Sequence, residues 1–453
     1  MTIQTKSFGR QNWWILALFG LIGQIAWAVE NMYFNLFVYE TIDENLDVVT
    51  LMVQLSGIAA TVTTLIAGTL SDKAGNRRSF IAYGYIIWGV TVALFGMISE
   101  DNMMKLFNIK DMAKATAVAL ALVVIGDCIM TLFGSTANDA AFNAWVTDNT
   151  EESFRGKVEG VLSVMPLVAM LIVAGGFGIL VELMGGYPAV FCVLGGVITL
   201  CGVAGLFMIK DSPNLQKKGT LKDIVYGFKP SVIKGNKPLY LTLCLVGVYG
   251  IACQIFMPYM IIYMKTSLKF EVLDYSIVFG LAIGLGAVLN LIFGAKTDQI
   301  DKAKLLYIAT GVLAVGLAGM YFSHFDDKIM TMIVFGFFGF VMISGYILVA
   351  ALTGALVRDY TPESDAGKLQ GVRMIFSVLL PMLIGPMIGN SINKAAGALL
   401  ENPGADAMTT SYIPAPEIFL AGAIAVLLMY ALIPVLVKVR ANKEEKNEIE
   451  NEV

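Results

Sequence analysis

VTDNTEESFRGKVEGV at residues 146–161 returns as VRDYTPESDAGKLQGV at residues 357–372, with Val, Asp, Thr, Glu, Ser, Gly, Lys, Gly and Val in register at 9 of 16 positions. A second echo precedes each copy. Gly68, Ser71 and Asp72 recur as Gly294, Thr297 and Asp298 with the same spacing. Two echoes in the same order, each about two hundred residues from its partner, indicate a duplicated unit of domain size.

Each echo lies at the end of a long apolar run. Hydrophobic residues make up 57 % of the 453 and charged residues 15 %, with a mean hydropathy of +0.73. A water-soluble domain carries about a quarter of its residues charged, so much of this surface faces hydrocarbon. Runs long enough to span a bilayer, about 20 residues each, fall at 13–39, 48–71, 79–99, 113–146, 158–182, 188–209, 239–264, 274–295, 305–323, 329–357, 369–396 and 416–438. Only helices satisfy their backbone groups within such a run. The expected fold is an all-α integral membrane protein with twelve transmembrane helices in two pseudo-symmetric six-helix bundles, 13–209 and 239–438. A cytoplasmic N-terminus (1–12), a Lys-rich cytoplasmic linker (210–238) and a charged cytoplasmic tail (439–453) complete it. The first run has no small-residue cleavage site and is read as a retained span.

Basic residues set the orientation. With both termini in the cytoplasm, 24 of the 31 Lys and Arg fall inside, as the positive-inside rule requires. The expected location is the cell membrane, crossed many times. The net charge of −4 suggests no nucleic-acid partner. One histidine and five cysteines without a CxxC pair suggest no metal site and no cofactor. No P-loop, GxSxG or HExxH appears, so ATP-driven pumping and hydrolysis lack support and no enzyme activity is expected.

The loop after the second span reads GTLSDKAGNRR, residues 68–78. It resembles the signature of the major facilitator superfamily, with Gly68, Asp72, Lys73, Gly75, Arg77 and Arg78 at the defining positions. The resemblance implies the major facilitator fold and a conformational latch at this loop. In that latch Asp72 and its repeat Asp298 sit at helix ends, and Asp72 meets a helix N-terminus of the other half near Gly371 and Arg373. Gly68 is expected to permit close helix approach and Gly75 a tight turn.

Further motifs resemble the glycoside–pentoside–hexuronide:cation symporters and the related sucrose carriers: Gln24-Ile-Ala-Trp27-Ala-Val-Glu30 in the first span, Arg77-Arg78-Ser79-Phe80-Ile81, and Asp139 four residues before Asn143 in the fourth. They imply a secondary active transporter for a sugar or glycoside working by alternating access as a monomer. Residues 48–71 contain no acid, where the sodium-coupled melibiose carriers have paired aspartates. The fifth span lacks the Gly-Pro signature of drug antiporters. Lipid or lysophospholipid transport, drug transport and a non-transporting nutrient sensor are the alternatives.

The polar residues inside spans point the same way. Gln24, Trp27, Asn31 and Asn35 share one stripe of the first span with Glu30 at its edge; Asp127, Thr131, Gly134 and Asn138 line one side of the fourth, with Asp139 a quarter turn away. A carboxylate at mid-membrane costs roughly 2.5–3.5 kcal/mol, and no Lys or Arg lies deep in any span. Protonation is the least costly way to remove such a charge, so Glu30, Asp127 and Asp139 are the cation-coupling candidates, for H+ ahead of Na+. Were sodium the ion, Thr61 and Thr64 are the added ligands. The substrate candidates are Gln24, Trp27, Asn31, Asn35, Asn138, Asn143, Tyr249, Gln254, Asn290, Tyr346 and Asn390, whose rings stack and whose amides bond hydroxyl pairs. Tyr259 and Tyr263 read as interface-belt aromatics. Pro166, Pro258 and the pair Gly175 and Gly176 mark expected kinks.

Overall fold

The computed structural model describes residues 8–150, 154–212, 221–297, 301–362, 366–399 and 412–452. Among these, twelve helices are long and apolar enough to cross a membrane. They are α1 (Arg10–Thr41), α2 (Leu46–Ala74), α3 (Arg77–Phe95), α4 (Met112–Asn149), α5 (Gly160–Leu183), α6 (Tyr187–Met208), α7 (Lys237–Thr266), α8 (Val272–Asn290), α9 (Lys302–Tyr321), α10 (Lys328–Tyr360), α11 (Leu369–Ala396) and α12 (Glu417–Ala441). Each falls on one of the spans expected from hydropathy, and the chain is a multi-pass membrane protein.

Local chemistry fixes the ends. Asn45, Asn76, Asp111, Asp301 and Asp327 cap α2, α3, α4, α9 and α10 by accepting from backbone N–H groups one turn in. Gly75 ends α2 in the left-handed region at φ 62°, its N–H bonded to Ser71 O at 3.0 Å. A Cβ built at Gly68 meets no atom of the described residues within 4 Å; the tight glycine contacts lie on other helices. Gly89 of α3 and Gly195 of α6 are such a contact, each facing the other's backbone where a Cβ would collide.

The helices form two compact units, α1–α6 and α7–α12, which divide between Leu221 and Lys222. In the first, α3 packs on α6 and α4, α1 on α5, and α2 on α4. In the second, α9 packs on α12 and α10, α7 on α11, and α8 on α10. Adding six to each helix number converts one set into the other, so the duplication read from two short echoes extends to the packing. The outer faces are apolar: Tyr83, Ile87, Val90 and Leu94 of α3, and Val193, Val197, Leu200 and Phe207 of α6, are exposed at helical spacing, as faces toward lipid require.

The bends repeat only in part. A π-helical segment interrupts α1 at Glu30–Phe34, and a 3-10 turn at Met257–Tyr259, holding Pro258, interrupts its counterpart α7. Val173–Phe177 in α5, with Gly175 and Gly176, and Ile375–Leu379 in α11 are π segments in counterpart helices, but in the register of the repeat they lie nine residues apart. Tyrosines tie these bends together: Tyr33 OH accepts from Gly178 N at 3.1 Å, and Tyr259 OH donates to Pro386 O at 2.8 Å. Tyr259 and Tyr263 are 0 % and 1 % exposed, so they are core residues and not a belt; the break in α7 turns them into the bundle. In α4 the π segment Ser135–Phe142 has no counterpart in the continuous α10.

Candidate functional site

The π segment of α1 begins at Glu30, a residue 8 % exposed. Glu30 Oε1 accepts from Thr131 Oγ1 of α4 at 2.9 Å and from Ser56 Oγ of α2 at 3.2 Å. The two hydroxyl oxygens are themselves 2.7 Å apart. Glu30 Oε2 is buried without a hydrogen-bond partner. Asp127, one turn before Thr131 and 2 % exposed, lies beside Ser56 and within electrostatic reach of Glu30. Its Oδ1 is likewise buried and unpartnered. Leaving a buried polar atom unsatisfied costs about 1–3 kcal/mol, more if charged. Two such atoms from neighbouring carboxyls, with no basic side chain in either ring of contacts, mark this as a chemical site.

Asp139 lies twelve residues further along α4. Ser135 Oγ donates to its Oδ2 at 3.1 Å, and Asn138 Nδ2 to its Oδ1 at 3.2 Å. The quarter turn expected between Asp139 and the polar side of α4 is taken up by the π segment, whose wider turns advance the register. Asp127, Thr131, Ser135 and Asp139 consequently form one polar ladder at four-residue steps. Asn138 Oδ1 sits 3.0 Å from the Tyr85 hydroxyl. Trp27 neighbours Asp139 and packs on Trp88 with ring centroids 5.1 Å apart, and Trp88 packs on Tyr85 at 5.5 Å. Gly134 admits both indoles, since a Cβ there would meet Trp88 and Trp27. The Trp88 indole N–H is buried without an acceptor, while the Trp27 indole N–H is directed at the Asp139 carboxyl. Aromatic faces, indole donors and an amide thus border the acids.

The structure thus brings Trp27, Glu30, Asp127, Asn138 and Asp139 together within the first unit. It does not bring all of the expected residues. Asn31 and Asn143 are exposed and donate to their own helices, at Trp27 O and Asp139 O. Asn35 is buried but donates to Asn31 O at 3.1 Å, and Gln24 is half-buried. Of the added sodium ligands, Thr61 donates to Gly57 O at 2.9 Å, while the Thr64 hydroxyl is buried without a partner.

In the second unit Tyr249 and Tyr346 meet with ring centroids 5.6 Å apart, Tyr249 OH donating to Tyr346 O at 3.1 Å. Gln254 is half-buried against Gly385, and Asn390 is buried on α11. Asn290 donates to Gly286 O and Ser344 O, which binds α8 to α10. Ser56, Tyr85, Trp88 and Ser135 were not among the expected site residues. For Ser135 the four-residue spacing from Thr131 is a signal; Ser56, in the acid-free stretch 48–71 of α2, offers none.

At the helix ends, the Arg77 guanidinium is 4 % exposed and engages Asp72, Ser71 and, at 3.0 Å, Asp148. Asp211 Oδ1 accepts from Arg77 N and Arg78 N at 2.8 and 2.9 Å. Asp72 is therefore engaged inside its own unit. Lys73 and Arg373 are exposed, and Asp298 lies outside the described residues. The second unit holds the matching pair: Lys302 meets Asp359 at 2.6 Å, and Asp359 is the repeat counterpart of Asp148. Arg440 of α12 pairs with Asp301 at 2.7 Å, which holds that carboxyl below the usual carboxylate range.

Residues 16–386 match the profile of the Major Facilitator Superfamily. No curated protein sequence matches the chain significantly. Among solved structures, a bacterial homologue of the iron transporter ferroportin in an outward-facing state with soaked iron is similar at TM-score 0.61 and 14 % identity, covering 93 % of this chain and 98 % of that one. The nucleoside transporter NupG is similar at TM-score 0.65 and 10 % identity, with 94 % and 98 % covered. A bacterial metal transporter is similar at TM-score 0.58 and 13 % identity, with 95 % and 100 % covered.

Proposed function

The chain belongs to the Major Facilitator Superfamily, and we propose that it is a proton-coupled symporter of a sugar or glycoside in the cell membrane. The observation that carries the coupling is the buried pair Glu30 and Asp127. Each carboxyl keeps an oxygen without a partner, and neither has a basic neighbour among its hydrogen-bond or electrostatic partners. A proton neutralises such a group without further ligands. Asp139, which faces the aromatic cluster, completes the set of coupling candidates. The solved structures share the fold at identities too low to transfer a substrate.

The sugar reading is supported by Trp27, Trp88 and Tyr85 beside Asn138 and Asp139, and by the Tyr249 and Tyr346 pair. Indole faces stack on the apolar faces of pyranose rings, and amides and carboxylates bind paired hydroxyls. The motifs in α1 and α4 that resemble glycoside carriers support the same class. The test is uptake of a panel of mono- and disaccharides into proteoliposomes under an imposed proton gradient, with internal pH followed by a trapped dye. Uptake abolished by a proton ionophore is the expected result. Uptake that follows a sodium gradient at constant pH overturns proton coupling, and saccharide binding without flux replaces the carrier with a sensor. Orientation has its own test: Lys218→Cys, Gln299→Cys and Asn447→Cys are labelled only from the cytoplasmic side and Asp43→Cys only from outside.

A further inference from the structure

Three oxygens form a triangle at the centre of the first unit: Glu30 Oε1, Ser56 Oγ and Thr131 Oγ1, separated by 3.2, 2.7 and 2.9 Å. All three edges are hydrogen-bond distances, and each edge needs a hydrogen. The two hydroxyls bring two. With Glu30 ionised, Thr131 and Ser56 can both donate to the carboxylate, which leaves the hydroxyl oxygens facing lone pair to lone pair at the shortest edge. Alternatively Ser56 donates to Thr131, and its edge with Glu30 goes without. A Ser56 hydrogen turned toward the adjacent Asp127 widens the shortfall. One more proton, on Glu30 Oε1, closes the ring: Glu30 donates to Ser56, Ser56 to Thr131 and Thr131 to Glu30.

We propose that Ser56 and Thr131 are positioning residues that make Glu30 the proton-binding group of this site, closing with its carboxyl a ring of three hydrogen bonds that is complete only when the carboxyl carries a proton. The proposal deepens the symport reading and rests on it for its role in transport. Of the three coupling candidates it selects Glu30 of α1. Asp139 then serves the aromatic cluster, with its carboxyl held by Ser135 and Asn138. The ionisable groups near Glu30 are Asp127, Asp139 and Cys128, all on α4. From α2 the group that faces it is the neutral Ser56. A proton arriving at Glu30 from either side of the membrane bonds to Oε1 and leaves from it, and no other bond is made or broken. Because the ring draws on one side chain from each helix, α1, α2 and α4 are joined by three hydrogen bonds when loaded and two when empty.

The test is infrared titration of the purified full chain, following the protonated-carboxyl band that disappears in Glu30→Gln. Ser56→Ala removes two bonds from the loaded ring and one from the empty one. The midpoint therefore falls by about half to one pH unit. Thr131→Val has the same effect, whereas Thr131→Ser and Ser56→Thr, which keep the hydroxyl, leave the midpoint within a few tenths of wild type. A midpoint that stays or rises in Ser56→Ala, with Thr131→Val agreeing, overturns the proposal, because the hydroxyls then merely stabilise the carboxylate. The titration needs no substrate. If the midpoint falls but no proton gradient drives uptake in the wild type, the symport reading fails and the ring stands. If uptake is proton-driven but survives uphill in Glu30→Gln, the ring fails as the coupling site and the symport reading stands.

Discussion

The two halves of the molecule share a pattern of helix pairing and differ in what they enclose. In α1–α6 the bends in α1 and α4 present Glu30 and Asp139 to hydroxyls and indoles. In α7–α12 the bend in α7 presents tyrosines, and the interior stretches of these six helices contain no acid. The bend of α1 has a partner in α7, α5 and α11 bend at different places, and the tyrosine ties recur in both halves. The π segment of α4 has no counterpart in α10, and it carries Asp139. The helix pairing is common to both copies, and the acids are not. A π segment inside a helix misaligns a turn of hydrogen bonds, and such segments are retained mostly at functional sites.

Replacing the acids of the first half should give the largest effects. Glu30→Gln and Asp127→Asn are expected to reduce uphill accumulation to background in proteoliposomes while counterflow exchange persists, since exchange needs no net proton movement. In the second half, Tyr249→Phe or Tyr346→Phe should weaken apparent affinity by at most about tenfold, the worth of one hydrogen bond. Loss of uphill transport in the tyrosine variants, with the acids dispensable, would reverse the assignment of roles to the halves.

Next in size is the ion pair at the helix ends. Arg77 is buried and serves Asp72, Asp148 and Ser71, so Arg77→Ala leaves two carboxylates facing each other and should cost roughly 2–4 kcal/mol of stability. Lys302 and Asp359 are 30 % and 46 % exposed, and Lys302→Ala should cost less than about 1 kcal/mol. Thermal unfolding in detergent separates the two, and equal costs would mean that the repeated pair is equivalent in both halves.

Smaller still are the tyrosine ties. Tyr33→Phe and Tyr259→Phe each remove one buried hydrogen bond at a bend and should each cost about 1 kcal/mol, visible as faster amide exchange in α5 and α11 respectively. Exchange that speeds throughout the protein would make them global rather than local clamps.

The smallest effect is pH-dependent. Arg440 holds Asp301 below the usual carboxylate range. Its contribution to stability is present above the unfolded value and lost as pH falls through the lowered folded one. Wild type and Asp301→Asn should therefore differ in thermal stability at neutral pH, by less than about 1 kcal/mol because the pair is partly exposed. The difference should vanish on the acid side of that range. A gap that persists there would assign Asp301 to capping alone.

Much of this was legible along the chain. The spans follow from length and hydropathy, because hydrocarbon offers the backbone no other partner. The repeat needed only two echoes, and the repeat itself pointed to Asp148 and Asp359, whose ion pairs sit at the same place in each half. Glu30, Asp127 and Asp139 stood out because an acid in an apolar span is costly wherever it lies.

The sequence determined the class, the twelve crossings, the duplication and the rare charged side chains, since each depends on composition or spacing within one segment. Tertiary structure decided which of those side chains meet. Ser56 joins Glu30 only because α2 packs on α4 beside the bend in α1. Asp139 meets Trp27 only because α1 and α4 come together at the aromatic cluster. Tyr259 turns inward because α7 breaks at Pro258. A helical wheel assumes 100° per residue and knows nothing of neighbouring helices. Both the bends and the contacts are set by packing between segments far apart in the chain, and that is where the hydrogens of the Glu30 ring have to be counted.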